Sequence, residues 1–435
     1  MPIVLNLIYL SLITLLSPLL ALRAWRTGKY REGWGEKFLG RAPVRVGDGP
    51  CLWFHAVSVG EVLLLKPLIA EFSRRRPGWE IVISATTSTG LKVARETYPD
   101  LVTFYAPLDF SWATHRAVSR IRPTILALVE LEVWPNLVRS VKHSGGRVAI
   151  VNGRLSVKSH AGYRRLRGPL SKTFRRLDSV AVQTDEYADR FADLGVPRAK
   201  IFVTGSVKFD GLEGNRANPK TASLKKALGL GSSDLVFVAG STMEGEEAAV
   251  LAAYRHARRT HPSLRLVIVP RHAERFDEVA AMIESAGERV IRRSRNHTLA
   301  MPGNPPAVIL VDTIGELSAV WGLADIAFVG GSLYPGRGGQ NMMEPAAFGA
   351  SVMFGPYTSN FRATVEQLLH RGGARRVNNA EDLAAGLLED LNDPETAAVR
   401  GATARSFVLA QNGASARTFE EIDRLVESRG LERAG

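Results

Sequence analysis

Residues 51–87 read CLWFHAVSVGEVLLLKPLIAEFSRRRPGWEIVISATT, and they carry the clearest sign of the architecture. The stretch begins and ends with apolar runs of strand length that lack strict alternation, as expected of strands buried on both faces of a parallel sheet. Between them, from Glu61, lies an amphipathic stretch of helix length. A strand, a helix and a further strand in this order predict a βαβ unit.

Further apolar runs extend this alternation along the chain. They begin at Thr124, Arg147, Ser179, Ile201, Leu235, Leu264, Ala307, Ile326 and Ser351. A polar interval that contains Gly214 and Pro219 separates the first four runs from the rest. We therefore predict an α/β protein with two Rossmann-like domains that face a cleft. The predicted boundaries are 25–210 for the first domain, 211–233 for a linker and 234–435 for the second domain.

The amino-acid composition and net charge limit which classes of protein and of binding partner are possible. The 435 residues are 45% hydrophobic and 23% charged, which excludes a chain disordered throughout. The single cysteine, Cys51, excludes an internal disulfide and a thiolate zinc site, and it favours a reducing compartment. With 56 Lys and Arg against 43 Asp and Glu, the net charge of +13 indicates an anionic partner: nucleic acid, phosphorylated lipid, nucleotide or anionic membrane.

The N-terminal segment predicts a membrane anchor at 1–24. Residues 2–22 contain no charged side chain and are long enough to cross a hydrocarbon core of about 30 Å. Arg23, Arg26 and Lys29 follow this run rather than precede it. That order argues against a cleaved signal peptide and predicts that the body of the protein lies on the cytoplasmic side. The alternative is an apolar helix docked on the protein itself.

Two acidic motifs follow or end predicted strands. In HAVSVGE, 55–61, a strand runs into a Gly turn and Glu61 opens a helix. In VELEVWP, 129–135, Glu130 interrupts an apolar run and Glu132 falls on the same face. Open α/β sheets bind ligands beyond the carboxyl ends of their strands, so Glu61 is a candidate general base and both motifs are candidates for a polar site. The alternatives are helix capping and structural ion pairs.

Three further motifs follow predicted strands. Lys208 in GSVKFD lies at the predicted domain junction, where a cation could meet an anionic group. Arg271 in VPRHAER could hold a phosphate with its forked guanidinium. Gly315 in TIGEL lies at a strand-to-helix turn, where backbone amides could bind phosphate. The alternatives are a solvent-exposed lysine and simple helix capping.

The strongest motif is GGSLYPGRGGQNMMEP at 330–345. A glycine-rich loop before a helix N-terminus is typical of a phosphate site. Asn341 and Glu344 are three positions apart on one predicted helix face, and the carboxylate could accept two hydrogen bonds from a ribose diol. The arrangement fits a nucleotide-sugar donor. The GxGxxG, GxxxxGK[ST] and HExxH motifs are absent and the nine His residues lack metal-ligand spacing, so no metal or cofactor is expected.

A basic stretch at 154–176 contains no acidic residue. Apolar side chains, among them Tyr163 and Phe174, interleave with its cations at helix-like spacing. With an apolar N-terminal segment in the same chain, contact with anionic lipid is the favoured interpretation, and a solvated helix face is the alternative. No nucleic-acid partner is expected, because no recognisable reader motif is present.

Taken together, these motifs resemble the 3-deoxy-D-manno-octulosonic acid (Kdo) transferases of lipopolysaccharide biosynthesis. The resemblance covers nearly the whole chain, from YREGWGEKF at 30–38 and NGRLS at 152–156 to the glycine loop at 330–345. It implies a GT-B glycosyltransferase with an N-terminal acceptor-binding domain and a C-terminal domain that binds the CMP-sugar. It also implies CMP-Kdo as donor, the lipid A precursor (lipid IVA) as acceptor, and a location at the inner (cytoplasmic) membrane.

The resemblance further implies residue roles. Glu61 matches the catalytic base of the family, and Glu130 and Lys208 match positions regarded as transition-state stabilisers. The positions that match CMP-binding segments are Pro270, Arg271, Ile314, Gly315, Glu316, Asn341, Met342, Met343 and Glu344. The sequence departs from the family in the glycine loop, where many members have GGHNPLEP and this chain has GGQNMMEP. Gln340 in place of His keeps hydrogen bonding but removes a titratable group.

Two alternatives remain open at this point. One is a GT-B transferase that uses another nucleotide-sugar donor, such as a UDP-sugar. The other is a non-catalytic, membrane-tethered protein that binds nucleotide or nucleic acid. Such a protein would have no need for carboxylates at both Glu61 and Glu130.

Overall fold

The chain forms two compact units in the computed structural model, which describes residues 2–27, 32–295 and 307–434. The first unit comprises Met1–Asp210 and Asn412–Gly435, and the second comprises Gly211–Gln411. Lys29 of the predicted basic flank and the start of the motif at 30–38 lie outside the described residues.

The first unit is built on a parallel sheet of seven strands. The strands are β1 (Cys51–Ala56), β2 (Glu80–Ala85), β3 (Val102–Tyr105), β4 (Ile125–Val129), β5 (Arg147–Gly153), β6 (Ser179–Val182) and β7 (Ile201–Val203). The α-helices are α1 (Pro2–Thr27), α2 (Trp34–Leu39), α3 (Val59–Arg75), α4 (Ser88–Thr97), α5 (Ser111–Ile121), α6 (Pro135–His143), α7 (Val157–Arg165), α8 (Arg167–Phe174), α9 (Asp185–Asp193) and, from the end of the chain, α18 (Ala414–Ala434). Short 3-10 helices lie at Arg198–Lys200 and Val207–Phe209. The strand order is β3-β2-β1-β4-β5-β6-β7.

Helices cover both faces of this sheet, which explains why its strands read as continuous apolar runs. Successive residues of β1 alternate between two hydrophobic clusters, one on each face. Trp53 packs in the cluster that contains Leu137 of α6, and Phe54 packs in the cluster that contains Leu65 of α3. All strand pairs are parallel, so every strand delivers the residues that follow it to one edge of the sheet.

Helix α1 is formed by the predicted anchor segment and contacts the start of α5. The Asn6 side chain donates to the Ser111 hydroxyl at 2.7 Å and accepts from the Ser111 N–H at 3.0 Å. The Tyr9 hydroxyl donates to Asp109 at 3.2 Å. These contacts agree with the alternative of a helix docked on the protein. Across the described residues, no helix has the length and apolar character needed to span a membrane. The anchor at 1–24 is not confirmed.

Helix α18 belongs to the first unit, although the predicted second domain was 234–435. Phe419 and Ile422 are buried in the same hydrophobic cluster as the core face of α3. The Asp210 carboxylate accepts a hydrogen bond from the Gly413 N–H at 2.6 Å and further ones from the next two residues, which caps the helix. An amphipathic pattern reveals that a helix has a buried face but not which sheet covers it, so the boundary could not be placed from sequence.

The second unit is built on another parallel sheet of seven strands. The strands are β8 (Leu235–Thr242), β9 (Leu264–Pro270), β10 (Val290–Arg292), β11 (Val308–Leu310), β12 (Ile326–Val329), β13 (Ser351–Phe354) and β14 (Ala374–Arg376). The α-helices are α10 (Pro219–Ala227), α11 (Glu246–Ala257), α12 (Phe276–Ser285), α13 (Leu317–Trp321), α14 (Met343–Ala347), α15 (Arg362–His370), α16 (Ala380–Asn392) and α17 (Pro394–Ala410), with 3-10 helices at Ala273–Arg275, Arg293–Arg295 and Ser359–Phe361. The strand order is β10-β11-β9-β8-β12-β13-β14, and the two sheets confirm the predicted α/β fold.

Part of the predicted linker is a helix of the second unit. The side chain of Asn218 caps α10 by accepting from the Thr221 N–H at 2.9 Å, and Pro219 occupies the first helical turn. The Thr221 hydroxyl donates to the Ala319 carbonyl at 3.1 Å, which ties α10 to α13. The interval at 211–233 is therefore an ordered part of that unit, and its polar composition reflects an exposed helix.

Candidate functional site

Glu61 lies in the first turn of α3, directly after β1. One carboxylate oxygen accepts from the Val57 N–H at 2.8 Å and the other from the Ser58 hydroxyl at 3.0 Å. The side chain therefore caps the helix, and the same bonds hold the carboxylate at the carboxyl edge of the sheet. Each oxygen keeps a second lone pair for a proton. Burial raises the pKa of Glu61, and the charge of Glu130 adds to this rise.

Glu130 follows β4 directly and has a φ of 57°, in the left-handed region that residues with a Cβ rarely adopt. Its N–H donates to the Val151 carbonyl of β5 at 3.0 Å. The next residue of β5, Asn152, also has a positive φ, of 53°. Residues at the ends of two adjacent strands thus adopt the left-handed conformation, which costs about 1–2 kcal/mol for a residue such as Glu and less for Asn. Backbone strain of this kind is concentrated at functional sites.

Glu61, Glu130 and Glu132 form a carboxylate cluster at this edge of the first sheet. The Trp134 indole N–H donates to Glu132 at 3.0 Å. Burial raises the pKa of Glu132 to about 7, and the charges of Glu61 and Glu130 contribute. The structure thus brings together the acidic residues that the two sequence motifs singled out. Among the described residues, no three His, Cys, Asp or Glu side chains are arranged to hold a metal ion.

We expect Glu132→Gln to stabilise the protein at pH 8. In the unfolded chain this carboxyl group titrates near 4.5, whereas its pKa in the folded protein is about 7. The folded state therefore binds the proton more tightly and loses stability as the pH rises from about 4.5 to about 7. Gln carries no charge and avoids this loss, which amounts to about 3 kcal/mol at most. The melting temperature of the variant should exceed that of the wild type at pH 8 and equal it near pH 4. Equal melting temperatures at pH 8 would contradict the claim that burial and the neighbouring carboxylates disfavour the charge of Glu132.

Lys208 lies in the 3-10 helix Val207–Phe209, which packs against α3. The Val207 N–H donates to the side-chain oxygen of Asn152 at 3.2 Å. Asn152 is fully buried. Its side chain connects the end of β5 to the segment that carries Lys208, and the carbonyl of the preceding residue, Val151, accepts the hydrogen bond from the Glu130 N–H. Asn152 belongs to the motif NGRLS but was not a predicted site residue. Its role depends on a contact across 55 positions of sequence, which no local pattern reveals.

In the second unit, the structure brings Arg271 and Glu344 together. Glu344 lies in the first turn of α14, and the Asn341 amide donates to its carboxylate at 3.0 Å, as their spacing predicts. Burial raises the pKa of Glu344, whereas the charge of Arg271 opposes this rise. Arg271 follows Pro270, the last residue of β9, and its N–H donates to the Thr242 carbonyl at 3.0 Å. Two of the predicted CMP-binding segments are therefore neighbours.

The third predicted segment, 314–316, follows β11. Ile314 is 87% exposed, and Gly315 has a φ of 90° with open space where a Cβ would lie. Glu316 instead accepts from the Arg293 guanidinium at 3.1 Å and from the Thr313 hydroxyl. Its carboxylate is therefore engaged locally, while the two preceding residues face open space.

Met342 and Met343 were predicted to contact CMP, but their side chains are 0% and 2% exposed. The Met343 N–H donates to the side-chain oxygen of Asn341 at 3.1 Å. Both residues lie in the core with their main chain included, so Asn341 and Glu344 carry the accessible polar groups of this segment.

Glu246, in the first turn of α11, was missed by the sequence analysis. This side chain is 1% exposed. Its two oxygens accept four backbone hydrogen bonds of 2.7–2.9 Å, from Met243, Gly331, Ser332 and Leu333. At Gly330 a Cβ would lie 2.5 Å from the Ser241 carbonyl oxygen, so the glycine loop passes β8 too closely for a side chain. The available signal was the acidic run EGEE directly after a strand, the same signal that identified Glu61.

The first unit matches a known family. The model of 3-deoxy-D-manno-octulosonic-acid transferases (Kdotransferases) matches residues 32–211. The chain is 32% identical over 412 residues to the 3-deoxy-D-manno-octulosonic acid transferase of Haemophilus influenzae, which covers 93% of this chain and 94% of that relative. The chain belongs to the Kdo transferase family. The Kdo transferase of Bordetella pertussis agrees, with 33% identity over 429 residues that cover 94% of this chain and 96% of the relative.

A solved structure shows a similar fold. The crystal structure of a glycosyltransferase from Rickettsia africae superposes with a TM-score of 0.54 at 13% identity, and the match covers 87% of this chain and 99% of that one. The fold is GT-B, with two parallel sheets in separate units, as predicted. Members of the Kdo transferase family are glycosyltransferases, so this chain is an enzyme of that class. The roles of Glu61, Glu130, Lys208 and the CMP-binding residues stay predictions.

Proposed function

We propose that this Kdo transferase moves Kdo from CMP-Kdo to a hydroxyl group of lipid IVA, the lipid A precursor, in lipopolysaccharide core biosynthesis. Family membership supports the identity of the transferred sugar. The observation that carries the chemistry is Glu61, a half-buried carboxylate of raised pKa at the carboxyl edge of the first sheet. In this proposal the first unit binds the acceptor and the second unit binds the donor.

The ionised Glu61 acts as the general base. It takes the proton of the acceptor hydroxyl while that oxygen attacks the anomeric carbon of Kdo. The bond between this carbon and the phosphate oxygen breaks, and CMP leaves with the electron pair. One displacement inverts the anomeric configuration. The raised pKa increases the proton affinity of the carboxylate, and the Val57 N–H and Ser58 hydroxyl fix its orientation.

Glu130 and Lys208 stabilise the transition state in this proposal. The left-handed backbone of Glu130 supports a functional role, because such strain persists only where the surrounding structure imposes it. Lys208 is half-buried and forms no ion pair within the described part of the chain. Its charge is therefore available to a substrate anion.

The CMP part of the donor binds to the second unit at 270–271, 314–316 and 341–344. Glu344, oriented by Asn341, accepts two hydrogen bonds from the ribose diol, and the neighbouring Arg271 meets the phosphate. Ile314 and Gly315 follow β11, the strand paired with β9, and offer an open surface. Charge compensation by side chains and amides makes a metal unnecessary for departure of CMP.

The first unit also contacts the anionic surface of the inner membrane, with the catalytic body on the cytoplasmic side. On α1, Ile3, Leu7 and Leu15 are 58–77% exposed. Helices α7 and α8 expose cations that include Arg164 and Lys172. Exposed apolar and cationic side chains on one unit are typical of a surface that binds anionic lipid.

Mass spectrometry tests this function directly. The protein is incubated with CMP-Kdo and lipid IVA, and the lipid product is weighed. A product heavier by one or more Kdo residues supports the proposal and counts the additions. Transfer from a UDP-sugar but not from CMP-Kdo would reassign the donor. Binding of RNA with no turnover would favour the non-catalytic alternative.

Asn152→Ala should lower the transfer rate about tenfold and leave CMP affinity unchanged. Ala removes the acceptor of the Val207 N–H and places a less tolerant residue at a φ of 53°, a loss of about 1–3 kcal/mol. Both changes act on the segments that carry Glu130 and Lys208. Asn152→Gly is the control for conformation, since it accepts the positive φ but also lacks the amide. Initial rates, CMP titration and thermal unfolding separate the effects. An Ala variant with the wild-type rate would remove Asn152 from the site.

A further inference from the structure

A cavity of about 550 Å³ lies beside the glycine loop of the second unit. Its walls come from that loop, from the loop after β13, from the start of α15 and from the end of β14. The cavity therefore lies at the carboxyl edge of the second sheet, where open α/β sheets bind ligands. None of the residues assigned to CMP lines it.

Three arginines line this cavity: Arg337, Arg362 and Arg376. None of them forms an ion pair with any carboxylate in the described part of the chain. By contrast, the neighbouring Arg375 pairs with two carboxylates of α16. Glu366 is the single acidic residue of the lining and also forms no ion pair with a described residue. Like charges that share a cavity repel one another, so an anion in the cavity would relieve that repulsion.

Hydrogen bonds between two loops fix the wall that carries Arg337. The Asn360 N–H donates to the Gly338 carbonyl at 3.0 Å, and its side-chain amide donates to the Arg337 carbonyl at 3.1 Å. Gly338 has a φ of 80°, and a Cβ there would lie 2.8 Å from the Asn360 side chain. A residue with a side chain at this position would be strained by the positive φ and would have to displace the Asn360 side chain. The backbone of Arg337 is held in place while its side chain is exposed to the cavity.

An oxyanion on a sugar matches this lining. Guanidinium groups donate paired hydrogen bonds to a carboxylate or a phosphate, and the volume is that of a small-molecule site. Tyr357, Thr358 and Ser359 add hydroxyl groups that suit the hydroxyls of a sugar.

We infer that this cavity is a second substrate subsite, which holds the carboxylate of the donor sugar acid or a phosphate of the acceptor. The inference rests on the proposed function, because that reaction supplies both groups. The subsite binds the substrate by charge and takes no part in proton transfer.

The test compares two triple variants. Arg337→Ala/Arg362→Ala/Arg376→Ala empties the cavity of its cations. Lys225→Ala/Lys226→Ala/Arg259→Ala removes three exposed charges elsewhere in the same unit and is the matched control. Three measurements are made on each full-length protein. They are the rise in melting temperature with inorganic phosphate, the KM for CMP-Kdo beside the Kd for CMP, and the KM for lipid IVA with both or only one of its phosphates.

A donor carboxylate in the cavity predicts that the cavity variant raises the KM for CMP-Kdo about tenfold or more, with the Kd for CMP unchanged. An acceptor phosphate predicts the same rise in KM for the bisphosphorylated lipid, and little change once that phosphate is removed. The inference is overturned if the cavity variant matches the control in all three measurements. Failure of the proposed function is distinguishable, because the wild type would then transfer no Kdo while its response to phosphate still reports on the cavity.

Discussion

Glu61→Gln should abolish transfer of Kdo while leaving the affinity for CMP nearly unchanged. Loss of a general base typically lowers the rate by about 10²–10⁴-fold, because the attacking hydroxyl keeps its proton until late in the reaction. CMP is assigned to segments of the second unit, and Glu61 belongs to the first. The measurement is kcat with CMP-Kdo and lipid IVA beside a calorimetric titration with CMP.

This substitution separates catalysis from stability. Gln can keep the hydrogen bond from the Val57 N–H with its side-chain oxygen, and Gln serves in the same capping position as Glu in helices. The variant should therefore melt close to the wild type. Glu96→Gln, at an exposed carboxylate on α4, is the control and should transfer Kdo normally. Full activity of Glu61→Gln would remove Glu61 as the base.

Glu246→Gln should weaken CMP binding about tenfold or more and destabilise the second unit by about 3 kcal/mol. Each carboxylate oxygen accepts two backbone N–H groups, and an amide nitrogen accepts none. In either orientation of the amide, two buried N–H groups would face another donor. The start of the glycine loop, at 331–333, must then move, and the segment at 341–344 belongs to the same loop. CMP titration and thermal unfolding measure the two effects.

Glu247→Gln is the matched control for this prediction. Glu247 follows Glu246 in the same helical turn and is 2% exposed, but it pairs with Arg275 at 2.7 Å and has no hydrogen bond to the glycine loop. Its substitution removes a buried ion pair and should cost similar stability. CMP affinity should stay near that of the wild type. Equal CMP affinity in both variants would show that Glu246 supports the fold but not the nucleotide site.

The central strands of both sheets were predictable from the sequence, and three edge strands were not. Burial on two faces forces continuous apolar runs, and each of the runs used for the prediction coincides with a strand. The missed strands β3, β10 and β14 are three of the four edge strands, and β14 reads Ala-Arg-Arg, whereas the fourth, β7, begins at the predicted run at Ile201. An edge strand has a neighbour on one side alone, so its sequence is less constrained.

Some features of the candidate site were likewise predictable from local sequence, and others were not. The positions of Glu61 and Glu130 were predictable, because each residue comes soon after an apolar run that local sequence identifies as a strand. The influence of Glu61 and Glu130 on the pKa of Glu132 could not be predicted, since it depends on which strands are neighbours in the sheet. The contacts of Glu246 with the glycine loop could not be predicted for the same reason, because three of its four donors lie at least 85 positions away. Contacts between distant segments define a site that local motifs only indicate.

The placement of α18 determines the order in which the nascent chain can fold. The second unit is contiguous, so it is translated in full before residues 412–435, which belong to the first unit. The first unit lacks α18 until then, and the apolar surface that receives Phe419 and Ile422 stays uncovered while about 200 residues are translated. At about 5–20 residues per second this interval is roughly 10–40 s. The inserted unit can therefore begin to fold before the segment that completes the first unit has been translated.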